Sequence, residues 1–291
     1  MMSERLALGT VQFGLNYGIA NSIGIVSESE LEAILDLARK AGIDTLDTAI
    51  AYGSSEERLG ASGINDWQVV TKLPSIPLDA DYITRQIRAK VNESLERLKI
   101  TRLFGLLLHS PNQLLEEGGM QIYEAFTELK NEGIVSKIGY SVYEPHDLDR
   151  LCHAFPPDIV QLPLNILDRR FINTGWIKQL KESSVDIHSR SAFLQGLLLM
   201  PPGKRPEKFN YWKDLWKVWD SFLAQTGLTA AQACLNFVHS ISELNKVVIG
   251  VDSATHLNEI LDIQLDTSIS FPAELSCEDT WLLNPSNWES L

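Results

Sequence analysis

In the run Gly42-Ile43-Asp44-Thr45-Leu46-Asp47-Thr48-Ala49-Ile50-Ala51-Tyr52-Gly53, Asp47 lies near the end of a short apolar segment and Tyr52 follows five residues later. Lys72 is the only long polar side chain of Val69-Val70-Thr71-Lys72-Leu73, and His109 ends Leu106-Leu107-Leu108-His109. A carboxylate, a phenol, an ammonium and an imidazole suit hydride addition to a carbonyl, where negative charge builds on oxygen and must be met by a proton. A free phenol, with a pKa of about 10, is a poor acid near neutrality, and a neighbouring ammonium stabilises the phenolate and lowers that pKa. Lys72 can do this for Tyr52, Asp47 can keep Lys72 charged and oriented, and His109 can donate a hydrogen bond to the substrate oxygen. The hydride itself has to come from a cofactor. Taken singly, each residue has a plainer role: Asp47 as a helix cap, Tyr52 as a loop aromatic, Lys72 as an exposed strand end, His109 as a hydrogen-bonded core residue. Their combination is what points to chemistry.

Such a set needs a scaffold that brings strand ends together. Short Leu-rich or β-branched runs predict strands at Leu6–Thr10, Ile43–Thr48, Val69–Leu73, Leu103–Leu108, Lys137–Ser141, Ile159–Pro163, Asp186–Arg190 and Lys246–Gly250. Apolar residues at helical spacing predict a first helix with a Ser27/Glu30 capping box that stops at Gly42, and a shorter one at Ser54–Leu59. Further helical patterns lie at Ala80–Leu98, Gln121–Asn131, Glu144–His153, Asn173–Ser183, Leu228–Ser240 and Ala254–Leu261. A helix between apolar strands favours parallel pairing with right-handed crossovers. The fold class is therefore α/β, a closed (β/α)8 TIM barrel over residues 1–291, with a tail from about Asp266 outside the repeat. A doubly wound open sheet is the alternative, but Gly9-Thr10-Val11-Gln12-Phe13-Gly14 lacks the G-x-G-x-x-G phosphate turn. Pro201-Pro202-Gly203-Lys204-Arg205-Pro206 reads as an irregular loop within the seventh unit, so the chain is one domain.

In a barrel of this kind the loops after the strands build the site, and Asp47, Lys72, His109, Ser141 and Gln161 all stand at strand C-termini. The formal charge of −13 disfavours nucleic acid and anionic membrane as partners, since both reward a basic face. No apolar run has the length of a membrane span, and Met1-Met2-Ser3-Glu4-Arg5 lacks the layout of a signal peptide, so a cytoplasmic location is expected. Cys152, Cys234 and Cys277 are odd in number and far apart, which fits reduced thiols rather than disulfides or a metal site. Trp212, Trp216 and Trp219 recur at helical spacing and read as a packed helix face rather than a carbohydrate platform.

From Leu6 to about Leu261 the chain resembles the aldo-keto reductase family. The resemblance is carried by Asp47-x-Ala49-x-x-Tyr52-Gly53, Thr71-Lys72, Leu108-His109-Ser110-Pro111 and Gly133 to Ser141, in the family order. It implies a catalytic tetrad of Asp47, Tyr52, Lys72 and His109, with Tyr52 as general acid, and an extended nicotinamide cofactor across the barrel mouth. Ser141 and Gln161 match the positions that bind its carboxamide, and the stretch holding Arg190, Phe193, Leu194, Gln195 and Gly196 matches the family's cofactor loop. Val142 stands where the family commonly has Asn, and Arg190 stands where it usually stacks an aromatic ring. A guanidinium can also stack, though its charge would disfavour the oxidised ring; the alternative is that it turns to a phosphate or an acidic neighbour.

The resemblance also places Gly250, Ser253 and His256 at the cofactor. NADP, the family default, is the expected cofactor, with NAD as the alternative: a ribose 2′-phosphate there is commonly met by Arg or Lys, whereas Asp252, in a frequent Arg position, would repel it. Ser253 could donate at the helix start and His256 could contribute when protonated. The hairpin that often precedes the first strand is expected to be absent. The function implied is NAD(P)H-dependent reduction of an aldehyde, ketone or sugar carbonyl. Similarity of the Gly9–Gly14 opening to members serving bacterial surface-sugar synthesis suggests a keto-sugar or nucleotide-linked sugar, with Asn16, Tyr17 and Asn21 lining a polar pocket. Two other functions are consistent with the residues: a nicotinamide-sensing binding module, and a lyase or isomerase using Lys72 as a Schiff-base amine.

Overall fold

Runs in which nearly every side chain is apolar become strands buried on both faces, as a parallel sheet covered by helices requires. The computed structural model describes residues 2–21, 23–77 and 82–291. In it the strands are β1 (Leu6–Gly9), β2 (Thr45–Asp47), β3 (Gln68–Leu73), β4 (Leu103–Leu108), β5 (Val135–Ser141), β6 (Ile159–Pro163), β7 (Asp186–Arg190) and β8 (Lys246–Gly250). Each pairs in parallel with the next, and β1 pairs with β8 from Leu6 opposite Val247 to Gly9 opposite Gly250, which closes the barrel and excludes the open sheet. The single-domain (β/α)8 TIM barrel expected from the repeat is the fold.

Ringing the barrel are α1 (Glu28–Lys40), α2 (Ser55–Ala61), α3 (Ile83–Leu98), α4 (Gly119–Asn131) and α5 (Pro145–Ala154). These are followed by α6 (Arg170–Asn173), α7 (Trp176–Glu182), α8 (Lys213–Thr226), α9 (Ala230–Ser240) and α10 (Ala254–Leu261), and the tail adds α11 (Thr280–Leu283). The predicted start of the third helix at Ala80 lies outside the described residues. Helix α1 buries Leu31, Ile34, Leu35 and Ala38, the i, i+3, i+4, i+7 stripe that faces a core.

Three expectations change. The Ser27/Glu30 box is half made: Ser27 accepts from the Glu30 amide at 3.2 Å, but the Glu30 carboxylate accepts from the Ala254 amide instead of turning back. The helix predicted at Asn173–Ser183 is realised as α7 alone, with Asn173 closing the separate short α6, because Gly175 between them adopts φ 81°, outside the helical region. An additional helix, α8, follows the Pro201–Pro206 loop, and its Trp216 and Trp219 are buried along with Trp212 at its N-cap. The tryptophans are thus a packed face. The tail also packs, with Leu282, Leu283 and Trp288 buried. Ser3–Arg5 form one 3-10 turn ahead of β1.

Candidate active site

Alternation along β3 sends Val70 and Lys72 to one face and Thr71 to the other. Val70 joins Leu107 and Ile159 in a small apolar cluster. Lys72, 1% exposed, donates to Asp47 Oδ2 at 2.7 Å and to the Thr48 carbonyl at 2.9 Å. Asp47 Oδ1 accepts from Gln161 Nε2 at 2.6 Å, and Gln161 Oε1 accepts from Ser141 Oγ at 3.4 Å. One polar chain thus crosses the barrel top from β3 through β2 to β6 and β5. Lys72 Nζ lies 5.1 Å from the centroid of the Tyr52 ring, and the Tyr52 and His109 rings meet edge to face at 6.1 Å. The four residues read from the sequence are gathered at one place.

The loop carrying Tyr52 is held by residues that local patterns do not advertise. Ser55 Oγ donates to the Thr10 carbonyl at 2.9 Å and packs against the Thr48 hydroxyl, while Thr10 Oγ1 donates to the Asp47 carbonyl at 3.1 Å. A Cβ at Gly14 would lie 1.9 Å from the Tyr52 carbonyl, so this glycine permits the close approach of the two loops. Arg58 donates to the carbonyls of Phe13 and Val26, pinning both ends of the first loop. Behind the loop, buried Glu56 accepts from Thr71 Oγ1 and Ser94 Oγ, each at 2.7 Å, and from Arg97 Nη2 at 2.6 Å. That network ties α2 to β3 and α3. The only sequence signal for any of this is the Gly9–Gly14 opening.

Tyr52 and His109 face a cavity of about 1130 Å³, larger than the usual 300–1,000 Å³ of small-ligand sites. Ser141, Gln161, Arg190, Phe193, Gln195, Gly196, Gly250 and His256 line it as expected, as does Asp252. Leu194 does not: it is fully buried in the hydrophobic core. Ser253 does not either, and its Oγ accepts from the His256 amide at 3.1 Å as the cap of α10. Of the first-loop residues, Tyr17 and Asn21 line the cavity and Asn16 does not. Asn21 mainly folds its own loop, donating to the Tyr17 and Gly24 carbonyls and accepting from the Ile23 and Gly24 amides. Gln195 Nε2 donates to the Tyr17 hydroxyl at 2.9 Å, joining the first loop to the loop after β7 across the cavity. In that second loop Ser191, Leu194 and Gln195 adopt φ of 63°, 47° and 53°, left-handed values that cost free energy and tend to cluster at ligand sites.

Arg190 lies 4.1 Å over the Tyr143 ring and donates to the Val142 carbonyl at 3.1 Å. It therefore does not turn to an acidic neighbour, and it still lines the cavity. Val142 is itself fully buried and offers no polar contact to the cavity. Two buried acceptors on the cavity wall, Gln12 Oε1 and Asp252 Oδ1, have no hydrogen-bond partner. A Cβ at Gly250 would come within 2.4 Å of Gln12 Nε2, so the wall there is bare backbone. An extended ligand rich in hydroxyl donors fits these features. Among the described residues no group of three or more His, Cys, Asp and Glu is placed to hold a metal ion, and no helix is long and apolar enough to cross a membrane.

Burial pushes the Tyr52 phenol above its ordinary range; Lys72 pulls it down and Asp47 pushes it up. The lowering expected from Lys72 is present but outweighed. Burial acts to lower the Lys72 ammonium, yet Asp47 and Tyr52 together raise it, so the lysine stays charged. His109 is pushed down to about 4, first by burial and then by Lys72 and Arg190, which leaves it neutral near pH 7 with one N–H to donate.

His188 of β7, 1% exposed, is also pushed from 6.5 to about 4, by burial against the opposing pull of Asp47 and Asp186. Here the unfolded chain binds the proton more readily, so stability is complete above pH 6.5 and is lost as pH falls toward 4. Replacing His188 with Gln is expected to make the fall of the urea midpoint over that interval shallower, the remaining slope coming from His109 and His239, both likewise lowered to about 4. An unchanged pH slope in the variant would contradict this assignment.

The Aldo/keto reductase family model matches residues 5–269. The chain is 28% identical over 250 residues to D-threo-aldose 1-dehydrogenase of a Pseudomonas species, covering 74% of this chain and 76% of that protein. It is 25% identical over 275 residues to L-galactose dehydrogenase of Arabidopsis thaliana, covering 87% and 83%. In fold it is similar to the holo form of an aldo-keto reductase from Bacillus halodurans, with a TM-score of 0.73 at 22% identity, over 91% of this chain and 88% of that one. Since the family match runs from the turn before β1 past the end of α10, taking in every strand of the closed barrel, the chain belongs to the aldo/keto reductase family of NAD(P)-dependent oxidoreductases.

Proposed function

We propose that the protein reduces a sugar carbonyl, or an aldehyde or ketone of similar polarity, using NAD(P)H, with Tyr52 as the general acid. The observation that carries this reading is the meeting of Tyr52 and His109 at the cavity, above the buried Lys72–Asp47 ion pair. When bound, the dinucleotide supplies hydride to the carbonyl carbon. Neutral His109 donates its N–H to the carbonyl oxygen and orients it, while Tyr52 gives its proton to that oxygen as charge develops. Lys72 stabilises the phenolate left behind, and Asp47 keeps the ammonium charged and fixed. Ser141 and Gln161 are assigned to the carboxamide of the cofactor, and Arg190, Phe193, Gln195, Gly196, Gly250 and His256 to the rest of its length.

A sugar is preferred as substrate because Tyr17 and Gln195 offer polar groups at the wall, and because two relatives are named for sugar oxidation. A Schiff-base role for Lys72 would need a neutral amine, which its buried pairing with Asp47 opposes. Free Cys152, Cys234 and Cys277 suit a cytoplasmic enzyme. The reading is tested by following loss of reduced-nicotinamide absorbance with a panel of aldoses, keto-sugars and apolar aldehydes. Turnover is expected, with kcat/KM higher for a polyhydroxylated carbonyl than for an apolar aldehyde of equal size. Tight dinucleotide binding with no turnover on any member would favour a sensing module instead.

A further inference from the structure

Resting on that reading, we propose that the protein selects NAD(H) over NADP(H), and that Asp252 is the residue that makes the selection. Hydride and proton go to one carbonyl group, so the nicotinamide belongs at the end of the cavity marked by Tyr52 and His109. The adenosine half of an extended dinucleotide would then lie along the rest of the cavity, whose wall includes Asp252, Glu259 and Asp262 from β8–α10 and the turn after it. Among the described residues that line the cavity, Arg190 is the sole Lys or Arg, and it lies over Tyr143 beside the catalytic groups. His256 is the one basic side chain lining the acidic end.

A second observation concerns the amides that an anion at this end would use. Helix α10 begins here, and a helix start ordinarily favours a phosphate. Two of its first amides are already taken: Ala254 N–H by the Glu30 carboxylate and His256 N–H by Ser253 Oγ. Glu30, reaching across from α1, thus sets a carboxylate against the first amide of the helix, where a phosphate would otherwise be favoured. A third observation is the Asp252 carboxylate itself, whose Oδ1 is buried at the cavity without a hydrogen-bond partner. The Gln12 Oε1 acceptor, against Gly250, is buried and unpartnered as well.

A ribose diol brings two O–H donors and satisfies such acceptors. A 2′-phosphate brings negative charge and no proton to donate, and would be held beside like charges with no Lys or Arg to meet it. The three observations are independent of one another and agree.

Isothermal titration calorimetry of the full chain with NADH and with NADPH tests the proposal without calling on turnover. NADH is expected to bind on the order of 10²-fold more tightly than NADPH. In Asp252→Ser the gap is expected to close by about tenfold or more, through both stronger NADPH and weaker NADH binding, at an unchanged melting temperature. NADPH bound as tightly as NADH by the unaltered chain, or an unchanged ratio in the folded variant, would overturn the assignment while leaving the carbonyl-reductase reading intact. Binding of neither dinucleotide would overturn both.

Discussion

Tyr52→Phe is expected to lower kcat by about 10²–10⁴-fold, the usual contribution of a positioned general acid, while the affinity for the reduced dinucleotide changes less than about threefold. The substitution removes one oxygen and leaves the ring against which His109 packs. The loop also keeps its anchors, because Ser55, Thr10 and Gly14 hold its backbone rather than the phenol. With burial holding the phenol above its ordinary range, Tyr52 carries its proton throughout neutral pH, so the loss is expected to be independent of pH there. An effect confined to KM would mean that the hydroxyl binds substrate without donating a proton.

Lys72→Met has a different signature, because it acts on stability and chemistry together. It leaves the Asp47 carboxylate buried with Gln161 as its remaining donor, and unpairing a buried ion pair costs about 3–5 kcal/mol. A lower urea midpoint with unchanged slope is expected, together with loss of turnover. Asp47→Asn combined with Lys72→Met removes both charges yet keeps an acceptor for Gln161 Nε2. The double variant is expected to regain more than half of the lost stability and none of the turnover. Recovery of activity along with stability would show that the ion pair serves folding alone.

The barrel was legible because its strands are apolar runs bounded by turn residues. The strands β4, β6, β7 and β8 and the helix α10 match their expected limits, whereas β2 is shortened at both ends to Thr45–Asp47, although the Thr48 amide still donates to the Val70 carbonyl of β3. The tetrad was legible for a related reason: polar groups at the ends of apolar strands stand out in the chain, and closing the barrel is enough to collect them. What stayed hidden depends on which groups meet across the sheet. Gln161 reads as a ligand contact, and nothing in its spacing shows that its amide also holds Asp47, 114 residues away. Glu30 has the spacing of a capping box, yet its carboxylate serves an amide 224 residues on. Leu194 lies amid cavity-lining residues, and its left-handed backbone sends its side chain into the core. Each of these outcomes is set by register and packing, which local spacing does not encode.

The central claim is that hydride passes from a bound dinucleotide to a carbonyl whose oxygen is protonated by Tyr52. Its most direct measurement is single-turnover reduction with dinucleotide deuterated at the transferring carbon, with unaltered protein and Tyr52→Phe compared at saturating cofactor. Deuterium is expected on the carbinol carbon of the product with the unaltered protein, and its appearance is expected to slow by at least about 10²-fold in the variant. Product formed at an undiminished rate by Tyr52→Phe, or product carrying no deuterium, would contradict the account.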